Sequence, residues 1–312
     1  MYVVVVGAGG LGAYFGARLQ LVGHTVTFVA RGPHLAAIRR NGMRIESDVA
    51  PMVLRGVHAV ESLDGMLKAD IVIIAVKLWD TISAAEIAAN VVGPETTVVS
   101  FQNGVDAIDS IGSVVGLERM IGGVAYISAS VVEPGVIRQT GKLQRLLFGE
   151  RNGRQTLRTM RFASACEIAA IDCAISDDIE KAIWEKFVFI VGLSASTCLF
   201  RRSIGPIRLH SKSRDLLRAL MAETVAVGIG AGIRLDPAYA EDRLAFIDTL
   251  PPDMIASMLF DLQKERRLEL PWFSGRVVEM GSKLDIATPA NAFVTAALSL
   301  DEQGSTPDPL RH

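Results

Sequence analysis

Shortages narrow the field before any motif is considered. Only three cysteines, Cys166, Cys173 and Cys198, occur in 312 residues, and none stands in C-x-x-C spacing. An odd count without a close pair argues against a disulfide scaffold, fits a reducing compartment, and leaves the thiols as small apolar fillers. Histidine is scarce as well: five residues, with no H-x-x-x-H or His/Cys cluster, offer no dedicated metal site. His24, His34, His58 and His210 read as core or surface side chains. Neither sign of charge is in excess, and a formal net charge of −2 supplies no general pull toward nucleic acid or anionic lipid. Long apolar runs are missing too. The stretch WEKFVFIVGLSASTCLF at 184–200 is uncharged from Phe187 to Phe200, short of the ~20 residues a spanning helix needs. It also holds Ser194, Ser196 and Thr197. Met1–Val6 runs straight into glycines, without the basic region and apolar core of a signal peptide. The expectation is a soluble, cytoplasmic chain with neither membrane nor nucleic acid as partner.

What is present is apolar bulk: 50% of the residues are hydrophobic and 21% charged, enough for a large core and two domains. Val3–Val6 is a continuous β-branched run of the kind buried on both faces of a parallel sheet. GAGGLGAYFGARLQ follows at once, with Gly7, Gly9 and Gly12 in G-x-G-x-x-G spacing and a helical continuation. Strand, glycine turn and helix in that order make a dinucleotide-binding signature. Gly7 allows the tight turn, Gly9 the approach of a pyrophosphate, and Gly12 close helix–strand packing; Gly10 and Leu11 stand at the helix N-terminus that faces the phosphates. A chance glycine turn is the alternative. Gly23 ends the helix and Thr25–Ala30 supplies a second strand. NAD-binding folds put Asp or Glu at the end of that strand, whereas this one ends in Ala30-Arg31. A guanidinium has the charge and fork geometry for a 2′-phosphate, which favours NADP(H). A solvated loop arginine is the competing reading.

Strands are expected at Ile71–Val76 and Thr97–Phe101, with a helix over Thr81–Ala89 between them. Their exits, Lys77-Leu78-Trp79 and Gln102-Asn103-Gly104, place Lys77 and Asn103 where open α/β sheets bind ligands, outside the carboxyl ends of strands. A capping lysine and a turn-forming Asn-Gly would look the same. From Arg119 to Gly149 the pattern becomes alternating β, with Glu133-Pro134-Gly135 as a turn. A boundary near Ile171 gives an N-terminal Rossmann-type domain over 1–171 and a mainly helical one over 172–312. The latter has helices after Ser176-Asp177-Asp178, over Ser213–Ala231, beyond Pro251-Pro252 and from Thr288-Pro289. The tail from about Glu302 reads as disordered.

Two residues of the second half could carry chemistry. Lys186 shares a helix face with Ile190 and Ser194, and an apolar wall would lower its pKa and make it a proton donor near neutral pH. It could equally snorkel to solvent. Glu269 lies among Leu268, Leu270, Pro271 and Trp272, and a carboxylate in such a setting needs a cation.

Taken together, GAGGLG, VKLW at 76–79, QNG at 102–104, WEKF at 184–187 and SML at 257–259 followed by Glu269 resemble the ketopantoate reductase (2-dehydropantoate 2-reductase) family, as does TPAN at 288–291. The resemblance covers nearly the whole chain. It implies that Lys186 is the general acid on the keto oxygen and that Glu269, twelve residues after Ser257, assists it. It also implies that Lys77 and Asn103 contact cofactor and substrate, that Arg31 meets the 2′-phosphate of NADPH, and that Ser257 holds the substrate. The reaction implied is metal-free hydride transfer from NADPH to the keto carbon of 2-dehydropantoate in pantothenate synthesis, with a homodimer compatible with the family. Another 2-oxo acid as substrate and a non-catalytic NADP(H)-binding protein on the same fold are the alternatives. One departure stands out. Where the family carries asparagines one and two turns after the lysine, this chain has Ile190 and Ser194 as substrate neighbours.

Overall fold

A computed structural model of the 312-residue chain describes residues 1–304. The chain divides into two compact units, Met1–Ala182 and a second beginning at Ile183. In the first, Val3 to Val6 are each at most 2% exposed, the burial of a central parallel strand. The order is β1 (Tyr2–Val6), α1 (Gly10–Leu21), β2 (Thr25–Val29), α2 (Gly32–Asn41), β3 (Met43–Ser47), β4 (Met52–Leu54) and β5 (His58–Val60). Next come β6 (Ile71–Ile74), α3 (Thr81–Ala89), β7 (Thr97–Ser100), α4 (Ala107–Val115), β8 (Met120–Glu133), β9 (Val136–Gly149), α5 (Leu157–Ile168) and β10 (Asp172–Ile175). The strands lie side by side as β4-β3-β9-β8-β7-β6-β1-β2-β5, with β10 added on β9.

The dinucleotide-type half, β5-β2-β1-β6-β7, is parallel throughout. β8 is the joint. Its Met120 and Ile121 pair parallel with β7, and from Gly122 it runs antiparallel to β9, turning at Gly135 with φ +82. The expected antiparallel additions are therefore present, as a long hairpin. β10 carries the sheet past Ile171, because Asp172–Ile175 pair parallel with Arg145–Phe148 of β9. The division of the chain consequently falls later than the pattern indicated, between Ala182 and Ile183.

The helix α6 (Ile179–Phe200) contains that division and the apolar run. Its 22 residues would span a bilayer by length, so the shortness of the run by itself decides nothing; its most apolar stretch is 61% buried within the protein, as in a core helix. Its hydroxyls cost little. Ser196 Oγ donates to Gly192 O at 2.7 Å and Thr197 Oγ1 to Leu193 O at 2.7 Å, each within the helix.

After α6 follow α7 (Ile204–Leu209), α8 (Ser211–Gly230), α9 (Tyr239–Asp248), α10 (Ser257–Gln263), α11 (Ser274–Leu284) and α12 (Pro289–Leu298). A β-carbon at Gly192 would meet Met221 of α8 at 2.5 Å, so α6 and α8 pack at close range. The TPAN stretch has a structural role. Glu223 of α8 accepts the backbone N–H groups of Ala290 (2.7 Å) and Asn291 (2.9 Å) and the Asn291 amide (2.8 Å), capping α12 with a negative charge at its positive end. The expected disorder from Glu302 is corrected for the described part: Leu268 N–H donates to Glu302 O at 2.8 Å and Gly304 lies against the backbone of Glu265. Residues 305–312 lie outside the described residues.

Candidate active site

The first unit builds its candidate site largely from backbone. Gly7 turns with φ +104, and a side chain there would also strike Ala75 O at 2.7 Å. At Gly12 a β-carbon would come within 2.2 Å of Gly7 O, which fixes how tightly α1 packs beneath the turn. Between them Gly9 faces open space, with nothing within 4 Å of where a β-carbon would stand. Gly10 begins α1 against the Ala129–Ser130 backbone of β8, and Leu11 is half-buried on the core. The amides of this first helical turn have no acceptor within the helix and concentrate its positive end beside Gly9, a fit for a pyrophosphate.

A pocket of about 160 Å³ continues from this turn, bounded by Gly7–Gly9, Arg31, His34, Val76, Ala84 and Ile87. Arg31 stands at the N-cap position of α2, without a side-chain bond to the helix, and ion-pairs with Asp80, Nη2 to Oδ2, at 3.5 Å. His34 is a residue that motif spacing does not single out. A carbonyl can only accept and an amide N–H only donate, so His34 Nε2–H donates to Ala8 O (2.8 Å) while Nδ1 accepts from Gly135 N–H (3.1 Å). One ring thus ties the glycine turn to the tip of the β8–β9 hairpin.

At the carboxyl ends of β6 and β7, Lys77 and Asn103 are both half-buried. Lys77 Nζ lies over the Trp79 ring, 5.7 Å from its centre. Gln102 holds the two strand exits together: its Nε2 donates to Val76 O (3.0 Å) and Thr81 Oγ1 (2.9 Å), and its Oε1 accepts from Ser100 Oγ (2.9 Å). The only signal for this in the sequence is an amide placed directly after a buried strand.

In the second unit, Lys186 and Glu269 come together although they stand far apart in sequence. Burial of the Lys186 ammonium lowers its pKa to about 8, and the Glu269 carboxylate opposes that drop by favouring the charged form. The side chain as a whole is half-buried, and the lowered pKa reflects withdrawal of its ammonium end from water. Glu269 is 6% exposed and begins the short helical turn Leu270–Trp272, where its carbonyl accepts from Trp272 and Phe273 N–H at 3.1 and 3.2 Å. On α6, Ile190 and Ser194 follow Lys186 by one and two turns, half-buried and buried respectively, and the Trp184 and Phe187 rings meet edge to face at 5.5 Å. Ser257 opens α10 in an exposed position.

A parallel sheet with a phosphate-facing glycine turn, and a desolvated lysine beside a buried carboxylate, mark a dinucleotide-dependent oxidoreductase. Residues 3–153 match the family model "Ketopantoate reductase PanE/ApbA" and residues 178–302 match "Ketopantoate reductase PanE/ApbA C terminal". The chain belongs to the ketopantoate reductase family, NAD(P)H-dependent oxidoreductases that act on small keto acids. It is 30% identical to a 2-dehydropantoate 2-reductase of Mesorhizobium japonicum, over 96% of both chains. The crystal structure of a PanE/ApbA family ketopantoate reductase from Ralstonia eutropha is 28% identical, with a TM-score of 0.88 over 97% of this chain and 98% of that one. A D-mandelate dehydrogenase bound to NADH and anilino(oxo)acetate shares the fold at 19% identity, with a TM-score of 0.89 and 97% and 98% coverage.

Proposed function

We propose that this chain is a cytoplasmic, NADPH-dependent reductase that converts 2-dehydropantoate to pantoate for pantothenate synthesis. The observation that carries the reading is Lys186, a half-buried lysine whose desolvated ammonium has a pKa of about 8, next to a buried carboxylate. Such a group is charged at neutral pH and acidic enough to give its proton away. Gly7, Gly9, Gly10, Leu11 and Gly12 would hold the pyrophosphate on the α1 amides, Arg31 the ribose 2′-phosphate, and Lys77 and Asn103 the nicotinamide end and the substrate. When bound, the nicotinamide supplies the hydride to the ketone carbon. Lys186 donates a hydrogen bond to the keto oxygen and passes its proton to the alkoxide. That charge exists mainly in the transition state, so the ammonium is placed where stabilisation raises rate. Glu269 keeps the ammonium charged, and Ser257 binds the substrate.

A second reading keeps the chemistry and changes the substrate. Ile190 presents no hydrogen-bonding group one turn from Lys186, and Ser194 offers only a hydroxyl two turns away. A polar substituent placed against Ile190 would lose a partner, at about 0.5–3 kcal/mol. A 2-oxo acid with an apolar side chain would lose nothing there, and a D-mandelate dehydrogenase of the same fold is known in complex with NADH and anilino(oxo)acetate. Steady-state NADPH oxidation with 2-dehydropantoate, its analogue without the hydroxyl, and phenylglyoxylate separates the two. The first reading expects the highest kcat/KM for 2-dehydropantoate and fails if the hydroxyl-free acids are preferred.

A further inference from the structure

We propose that Asp80 supplies, from across the pocket, the carboxylate that β2 lacks, and that it thereby restrains the preference for a 2′-phosphorylated dinucleotide and lets NADH bind as well. The proposal rests on the reading that the first unit holds a dinucleotide at its glycine turn, with the ribose toward Arg31.

Three observations place Asp80 in this role. Ala84 and Ile87 line the pocket, and Asp80, at the N-cap of α3, stands four and seven positions before them, the spacing of one helical face. Its carboxylate makes no capping bond to the helix it precedes. It is instead the ion-pair partner of Arg31 at 3.5 Å, with 33% of the Asp80 side chain and 57% of the Arg31 side chain exposed. Arg31 is the one lysine or arginine on the pocket wall among the described residues, and His34 has both ring nitrogens committed to backbone.

The charges then oppose one another. A 2′-phosphate brings nearly two negative charges to an Arg31 already paired with Asp80, so the arginine must be shared and the carboxylate repels the newcomer. A 2′-hydroxyl meets the reverse situation: it can donate to Asp80, as it donates to the strand-end carboxylate of NAD-binding folds. Arg31 on its own reads as a pure NADP(H) signal; the pair reads as dual use.

Asp80→Asn keeps the shape and removes the charge. Titration of NADPH and of NADH into the full-length protein by nucleotide fluorescence, at low salt, should show NADPH binding at least about 3-fold tighter and NADH no tighter. That is the change an exposed charge pair can supply. The gain should shrink as salt rises, which a purely structural effect would not do. An unchanged NADPH-to-NADH ratio overturns the role of Asp80 and leaves the NADPH reading intact. Arg31→Ala separates the two failures, because equal losses for both nucleotides would sink the 2′-phosphate reading and the Asp80 proposal together.

Discussion

The two units deal with charge in opposite ways. The first meets an expected anion with peptide dipoles at the start of α1 and with Arg31, a cation left 57% exposed. The second removes water from Lys186, so that one ammonium becomes a stronger acid, and compensates with Glu269. In the first unit the phosphate-facing part of the site is backbone, and Gly7 and Gly12 cannot be altered there without altering the turn. In the second the chemistry resides in one side chain that the helix does not need. A site made of backbone should fail with its fold, and a site made of one desolvated side chain should fail while nucleotide binding survives.

The largest expected effect tests the second half of that contrast. Lys186→Met should lower kcat/KM by about 10²–10⁴-fold, the usual contribution of a positioned acid, while NADPH still binds in a direct titration. The variant's stability at pH 7 combines two opposing changes, relief of the desolvated ammonium and loss of the cation beside the buried Glu269 carboxylate, so the pH dependence of unfolding is the informative readout. The folded-state pKa of about 8 lies below the ordinary 10.5, so at neutral pH the buried charge costs on the order of 3 kcal/mol. Between about 8 and 10.5 the unfolded chain holds a proton that the folded chain has released. Stability therefore rises with pH across that window in the parent and stays flat in Lys186→Met. An unchanged turnover would remove Lys186 from the mechanism.

Gly12→Val tests the first half. With only 2.2 Å between a β-carbon and Gly7 O, the variant should lose about 1–3 kcal/mol by overpacking and lose nucleotide binding along with it, in urea melts read beside NADPH titrations. A stable Gly12→Val protein without nucleotide affinity would break the comparison. A subtler change is expected for Glu269→Gln. Activity should fall as pH rises through about 8, where Lys186 loses its proton. Removing the carboxylate that raises that pKa should move the descending limb down by about 1 unit. The smallest effect is assigned to Glu223→Gln, which should cost about 1 kcal/mol through the α12 cap and leave nucleotide affinity alone.

What could be read in the sequence follows the same division. The glycine turn was legible because φ +104 at Gly7 and the close contact at Gly12 restrict the residue type whatever surrounds them. The second strand and the β8–β9 turn were legible by period and by Gly135. Lys186 was not, since desolvation is a property of packing, and a helical face of Lys, Ile and Ser fits an exposed edge equally well; only the resemblance separated the alternatives. Asp80 went unmarked because it meets Arg31 from another element, 49 positions away. The ordered Glu302–Gly304 segment was hidden for a related reason, as its anchor is a backbone bond from Leu268.

The register of β3 sets a timetable for synthesis. Arg44–Ser47 pair with Val136–Gln139 of β9, so these strands leave the ribosome about 90 residues apart. At ~5–20 residues per second that separation is roughly 5–20 s. During it the β3–β4 hairpin has no strand on its other edge, and Met43, Ile45, Met52 and Leu54, all buried in the finished protein, have no β9 to cover them. Nascent chains of this protein should thus be most vulnerable to aggregation, and most in need of a chaperone, before residue 139 has emerged.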